Sequence, residues 1–167
     1  MRTGRTGSLL DTKIKKPQAL KRIISRLKTK GSKIVFTNGC FDLLHYGHIR
    51  YLEDAKSKGD ILIVAINSDS SIKKIKGKKR PLVKQTDRAR IIAGLRSVDF
   101  VTIFYQSTPI KIIKLLRPDI LVKGSDWKKD KIVGGEFAAS YGGKVLNIRL
   151  IKGRSTTNLI NKIAKLF

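Results

Sequence analysis

His45 and His48, in the run His45-Tyr46-Gly47-His48, are the two histidines of this 167-residue chain. Three-residue spacing turns both imidazoles to one side of a helical turn. Beside a polyphosphate, two imidazoles can donate hydrogen bonds to non-bridging oxygens. Such donors matter most as charge builds in a phosphoryl-type transition state. The flanking residues suit the same chemistry. The apolar run Ile34 to Phe36 ends in Thr37-Asn38-Gly39-Cys40-Phe41-Asp42. Gly39 and Gly47 allow close backbone approach to a ligand, or a positive φ. Then Ile49, Leu52, Ala55 and Lys56 fall at helical spacing. A strand, a glycine loop and a helix start in close succession are where an α/β protein gathers phosphate, because first-turn N–H groups and the helix dipole favour an anion. Zinc is a weaker reading of the same residues. It takes three or four ligands, and Cys40 with Asp42 makes a poor set.

A second cluster lies near the C-terminus. Ser155, Thr156 and Thr157 precede Leu159, Ile160, Ile163 and Leu166. Hydroxyl residues before an apolar-periodic run are N-cap signals. The cap also aims N–H groups and hydroxyls outward, and Arg154 adds a cation. Between the clusters lies the basic run Lys73 to Arg80, which reads either as a solvated loop or as a phosphate contact. Lys123-Gly124-Ser125-Asp126-Trp127 follows later. Trp127 suits a site wall and a buried anchor equally.

The elements that must position these residues are legible as a repeating pattern. Strands are expected at Lys33–Thr37, Ile61–Asn67, Val98–Phe104, Ile120–Lys123 and Lys144–Ile148. Helices are expected at about 48–58, 85–96, 109–116, 131–141 and 156–166. Alternation of this kind predicts a parallel α/β sheet, with ligands at the C-terminal strand ends. A helix from Pro17 to about Lys28 precedes the first strand, and residues 1–12 read as a loose tail. The expected division is 1–31 as N-terminal tail and accessory helix, and 32–167 as the main domain.

Lys plus Arg number 37 against 12 Asp plus Glu, a net charge of +25. Such charge ordinarily suggests nucleic acid, so a basic nucleic-acid-binding module is the reading from a different class. The even spread argues against it. There is no aromatic-interleaved basic platform, zinc-finger spacing or basic-zipper heptad. One cysteine excludes an internal disulfide framework. No run of eighteen apolar residues and no apolar leader at the start predict a cytoplasmic protein with no membrane segment.

His45-Tyr46-Gly47-His48 resembles the HxGH signature of the nucleotidyltransferase superfamily, and Arg154-Ser155-Thr156-Thr157-Asn158 resembles its second signature. The wider series Thr37 to Asp42, Asn67-Ser68-Asp69, Lys73, Arg80-Pro81, Arg88, Arg117 to Trp127 and Gly142-Gly143 is similar to the D-glycero-β-D-manno-heptose 1-phosphate adenylyltransferases. The resemblance covers roughly residues 32–167 and is to the stand-alone form. It implies a Rossmann-like, five-stranded parallel sheet of the HUP-like nucleotidyltransferase fold. The implied activity transfers AMP from ATP to a heptose 1-phosphate, giving ADP-heptose and pyrophosphate for lipopolysaccharide core synthesis. The implied catalytic residues are His45, His48 and Lys73. Nucleotide contacts are implied for Thr37, Asn38, Gly39, Phe41, Gly47, Lys123, Gly124, Arg154, Ser155, Thr156 and Thr157. Acceptor contacts are implied for Asp42, Asn67, Arg88 and Asp126. Mg²⁺ would be held mainly by the nucleotide phosphates. A homodimer and a separate heptose kinase are implied as well, with no specific nucleic acid. The HxGH signature alone fits a glycerol-3-phosphate cytidylyltransferase or another HxGH enzyme equally. The Thr-Asn-Gly-Cys and Lys-Gly-Ser-Asp-Trp segments favour the heptose enzymes.

Overall fold

The computed structural model describes residues 9–125 and 131–166. Strands β1 (Ile34–Gly39), β2 (Ile61–Asn67), β3 (Phe100–Phe104), β4 (Ile120–Gly124) and β5 (Lys144–Ile148) form one parallel sheet in the order β3-β2-β1-β4-β5. The helices among the described residues are α1 (Leu9–Lys13), α2 (Pro17–Thr29), α3 (Tyr46–Lys56), α4 (Asp69–Lys76), α5 (Gln85–Ala93), α6 (Ile110–Leu116), α7 (Gly135–Ala139) and α8 (Thr156–Ala164).

The near-continuous apolar strands have a physical use: both faces of the sheet are covered. Val35, Leu62, Val64 and Ile66 pack with Tyr51, Leu52 and Ala55 of α3 and with Ala89 and Ile92 of α5. The alternate residues Ile34, Phe36, Ile63 and Ala65 pack with Leu20 and Ile24 of α2 and Ile112 and Ile113 of α6. Leu20 is wholly buried, so residues on both sides of position 31 share one core. Among the described residues no helix is long and apolar enough to cross a membrane.

Three expectations change. Leu9–Lys13, expected in a loose tail, is helical, and beyond it Lys15 N donates to Val101 O at 2.9 Å, covering the outer edge of β3. The basic run begins inside a helix. Ser68 caps α4, its Oγ accepting from Ser71 N, and wholly buried Ile72 anchors it. One short anchored turn carries too little apolar period to read from sequence. The helix expected over 131–141 is confined to α7, because Gly134 has φ 85° and presses on Ile113, where a Cβ would lie 2.8 Å from Cδ1.

Lys13 donates through Nζ to Val98 O at 2.8 Å and Leu95 O at 3.3 Å, just past the end of α5. Lys13→Met should therefore lower the melting temperature by about 2–4 °C, the shift that about 1 kcal/mol produces at this size. A melt indistinguishable from the parent would show that these contacts add nothing.

The strand order decides where a ligand can sit. The chain runs outward from β1 to β2 and β3, then returns to place β4 on the other side of β1. Ligands in such sheets lie at this reversal, outside the C-terminal strand ends. The β1–β4 ladder pairs Val35 with Ile120 and Phe36 with Leu121. Near it the Tyr51 hydroxyl lies 2.7 Å from Thr37 Oγ1 and 3.2 Å from Val122 O, and Lys123 Nζ donates to Asn38 O at 2.9 Å.

Candidate active site

A cleft of about 320 Å³ opens at that reversal, near the lower size limit of small-ligand sites. Its floor is the exit of β1. Gly39 has no room for a side chain, since a Cβ would lie 2.9 Å from Phe41 Cε2. Phe41 is in the left-handed region at φ 45°, a conformation costing a non-glycine residue on the order of 1 kcal/mol. Its ring stands 5.4 Å from that of His48.

His45 is the N-cap of α3, but its side chain makes no capping bond, which leaves the ring to the cleft. The two imidazoles stack with centroids 3.9 Å apart and planes 23° apart. Gly47 makes this possible: a Cβ there would lie 3.0 Å from His45 Nδ1 and 3.2 Å from Arg154 Cβ. Both Nδ1 atoms and Asn38 Oδ1 are buried polar atoms with no hydrogen-bond partner among the described residues. Such atoms point to a ligand, because an unpaired buried polar group is costly.

The charges around the rings are positive. Burial pushes the His48 pKa down to about 4, aided by His45 and Lys76. Burial, with Arg154, lowers that of His45. Both rings are therefore neutral near pH 7, each with one N–H to donate. The sign of the stability effect follows. Between pH 6.5 and about 4 the unfolded chain holds a proton on His48 that the folded chain lacks, so stability falls as pH drops through that window, by up to about 3 kcal/mol. His48→Gln should flatten the dependence of melting temperature on pH between 6.5 and 5. Curves parallel to the parent would refute the assignment. Asp42 does not share this window. Burial would raise its pKa, but the Val83 and Leu82 N–H groups and the Arg80 charge outweigh this and hold it below its ordinary value.

The opposite wall is the start of α8. Ser155 Oγ accepts from Asn158 N at 3.0 Å, and Thr156 Oγ1 donates to Leu43 O at 3.2 Å, tying the turn to the histidine loop. Arg154 and Thr157 complete this wall, Lys76 enters from the end of α4, and Lys123 and Gly124 come from β4.

The cleft thus gathers His45, His48, Asn38, Gly39, Phe41, Gly47, Lys123, Gly124, Arg154, Ser155, Thr156 and Thr157. Five residues expected at the site are placed elsewhere. Lys73 lies on α4 outside the cleft lining, whereas Lys76, exposed like it, lines the cleft. Thr37 is buried against Tyr51. Asn67 is 4% exposed, with Nδ2 donating to Ser71 Oγ. Asp42 accepts from Leu82 N, Val83 N and Arg80. Arg88, 1% exposed, spends its donors on Val83 O, Cys40 O, Asn67 O and Asp69. Buried polar side chains satisfy one another before they can reach a ligand. Asp126 and Trp127 lie outside the described residues. Cys40 of the expected site loop lines the cleft, and Tyr51, Leu150 and Ile151 line it without having been expected there. Tyr51 had a signal, three residues after His48 on the same helical face. Leu150 and Ile151 had none.

A family model described as cytidylyltransferase-like matches residues 36–163. The bifunctional protein HldE of Geobacter sulfurreducens is 50% identical over 157 residues, covering 94% of this chain and 32% of that protein. The HldE protein of Magnetococcus marinus is 48% identical over 144 residues, covering 86% of this chain and 30% of that one. The chain spans about a third of the length of these curated relatives. Among solved structures, the lipopolysaccharide core biosynthesis protein of Thermoplasma volcanium superposes with a TM-score of 0.61 at 31% identity, covering 74% of this chain and all of that one. Pantoate-beta-alanine ligase from Francisella tularensis, at 17% identity and a TM-score of 0.56, covers 91% of this chain and 78% of that one and shares the fold.

Proposed function

The chain belongs to the cytidylyltransferase-like family, and we propose that it is a sugar-phosphate adenylyltransferase, moving AMP from ATP to D-glycero-β-D-manno-heptose 1-phosphate. The observation that carries this reading is the cleft itself. Two neutral, stacked imidazoles, whose Nδ1 atoms have no partner among the described residues, face a capped helix start, between Lys76 and Arg154. The half-identical HldE relatives, called bifunctional, and the similar lipopolysaccharide core protein support a sugar acceptor.

In this reading the triphosphate lies across the start of α8. The N–H groups of that turn, with Thr157 and Arg154, hold the β- and γ-phosphates. An oxygen of the sugar phosphate attacks the α-phosphorus in line. A new P–O bond forms as the α–β bridging bond breaks, and its electron pair leaves with pyrophosphate. The acceptor phosphate is already ionised near neutral pH, so no general base is required. His45 and His48 each donate one N–H to oxygens that gain charge at the transition state, and Lys76 adds a fixed positive charge. This is catalysis by positioning and electrostatic stabilisation, without a covalent enzyme intermediate.

No Asp or Glu lines the cleft among the described residues, and no group of three metal-ligating side chains occurs among them. This donor set suits Mg²⁺ that arrives on the nucleotide phosphates, where it would neutralise charge between them. The reading also takes the protein as a cytoplasmic homodimer.

The family description keeps a cytidylyl donor in view, so donors and acceptors must be compared directly. Pyrophosphate release is measured with ATP or CTP, each with heptose 1-phosphate or glycerol 3-phosphate. Release with ATP and heptose 1-phosphate is the expected result. Preference for CTP and glycerol 3-phosphate would overturn the substrate assignment. No release in any combination, with salt-dependent retention on DNA, would support a nucleic-acid-binding module instead.

A further inference from the structure

Beneath the cleft floor lies a closed circuit of buried charge. The Arg88 guanidinium, with its side chain wholly shielded, donates through Nη1 to Cys40 O at 2.5 Å, through Nη2 to Asn67 O at 2.8 Å, and through Nε to Val83 O at 2.9 Å. Asp42, two residues after Cys40, reaches the same loop from the other side. Its carboxylate accepts from Val83 N and Leu82 N, each at 2.9 Å, and pairs with Arg80 at 2.6 Å. The turn Cys40-Phe41-Asp42 is thus held at both ends against residues 80–83. Phe41, at positive φ, sits between the two holds, and its ring contacts His48.

We propose that Arg88 and Asp42 are positioning residues for AMP transfer, which together hold the left-handed Phe41 turn and through it the ring of His48. This rests on the adenylyltransferase reading. It assigns Arg88 a place different from acceptor binding, since no part of its side chain reaches the cleft surface. A guanidinium suits the task because its planar fork serves three carbonyls at once, and an ammonium cannot. A strained turn persists only where its surroundings over-determine it. When either hold is released, Phe41 can relax to negative φ. The His48 ring then loses its packing and admits water. Its surroundings also contain His45, Lys76 and Arg154, and these charges remain in every variant below.

The test uses the whole chain and two readouts. The first, needing no substrate, is the His48 titration followed by NMR in the parent, Arg88→Met, Arg88→Lys, Asp42→Asn and the Arg88→Met/Asp42→Asn double variant. The His48 pKa should climb from about 4 by about one unit in Arg88→Met as burial is lost, and by less in Arg88→Lys. The second readout is kinetic. Arg88→Met should lower kcat about a hundredfold, the cost of a small misplacement, with KM for ATP and for the sugar phosphate within about threefold. The double variant should lose little more than Arg88→Met alone, because the two holds serve one turn.

A folded Arg88→Met with parental His48 titration and kcat would overturn the proposal. So would an unchanged kcat with a tenfold rise in KM for the sugar phosphate, since that marks a direct acceptor contact. Additive losses in the double variant would overturn the circuit. If Arg88→Met does not fold, Arg88→Lys and Asp42→Asn decide by the same criteria. If the parent transfers no AMP, the adenylyltransferase reading fails, and the titrations still decide whether this circuit positions His48.

Discussion

His48→Ala should lower the turnover of AMP transfer by about a hundred- to a thousandfold, while KM for ATP changes by no more than a few-fold. Loss of one preorganised donor to developing charge costs about 3 kcal/mol. The effect should fall on kcat, because the donor gains strength only as the transition state forms. His48 is suited to this because its ring is already oriented. It stacks on His45 at 3.9 Å, stands against Phe41, and is kept neutral by burial with a pKa of about 4. No reorganisation is needed when charge appears. Single-turnover kinetics on the pure, folded variant is the measurement. Turnover within threefold of the parent would remove His48 from the chemistry.

The second large effect separates two lysines three residues apart. Lys76→Gln should reduce kcat/KM for ATP roughly ten- to hundredfold, the range for losing a charge-assisted contact of about 1.5–3 kcal/mol. Lys73→Gln should stay within about twofold, as expected for an exposed position away from the cleft. Lys76 reaches the cleft from the last turn of α4, and its charge helps to depress the His48 pKa. Both lysines are exposed, but Lys73 does not line the cleft. Lys76→Gln should therefore also raise the His48 pKa, a change that Lys73→Gln should not produce. The opposite ranking would return the phosphate contact to Lys73 and mean that α4 sits differently when nucleotide is bound.

The pair also shows how site residues become legible. His45, Gly47, His48 and the turn Arg154 to Thr157 were readable because their meaning is local. Spacing of three on a helix start, a glycine between two rings and hydroxyls ahead of an apolar period each declare themselves within one turn of chain. The choice between Lys73 and Lys76 has no such local marker. It depends on where α4 begins, and that is set by the Ser68 cap and by Ile72 finding a buried place.

The strands were legible for a related reason. Residues 61–66 are apolar throughout, and only a strand covered on both faces needs that. Together with the intervening helical periods it was enough to predict a parallel α/β sheet with its ligand at the C-terminal ends. The sequence by itself therefore determined the architecture and the two poles of the cleft. The tertiary structure decided which polar side chains line the cleft and which are consumed inside. Arg88 and Asp42 have the chemistry of substrate-binding residues. Their partners lie 48 residues away at Cys40 and 40 or more away at Leu82 and Val83. Periodicity reports only which face of its own element a residue occupies. Whether a buried charge is spent on carbonyls and amides from distant segments depends on how those segments meet, and a buried charge must be spent there if water cannot reach it.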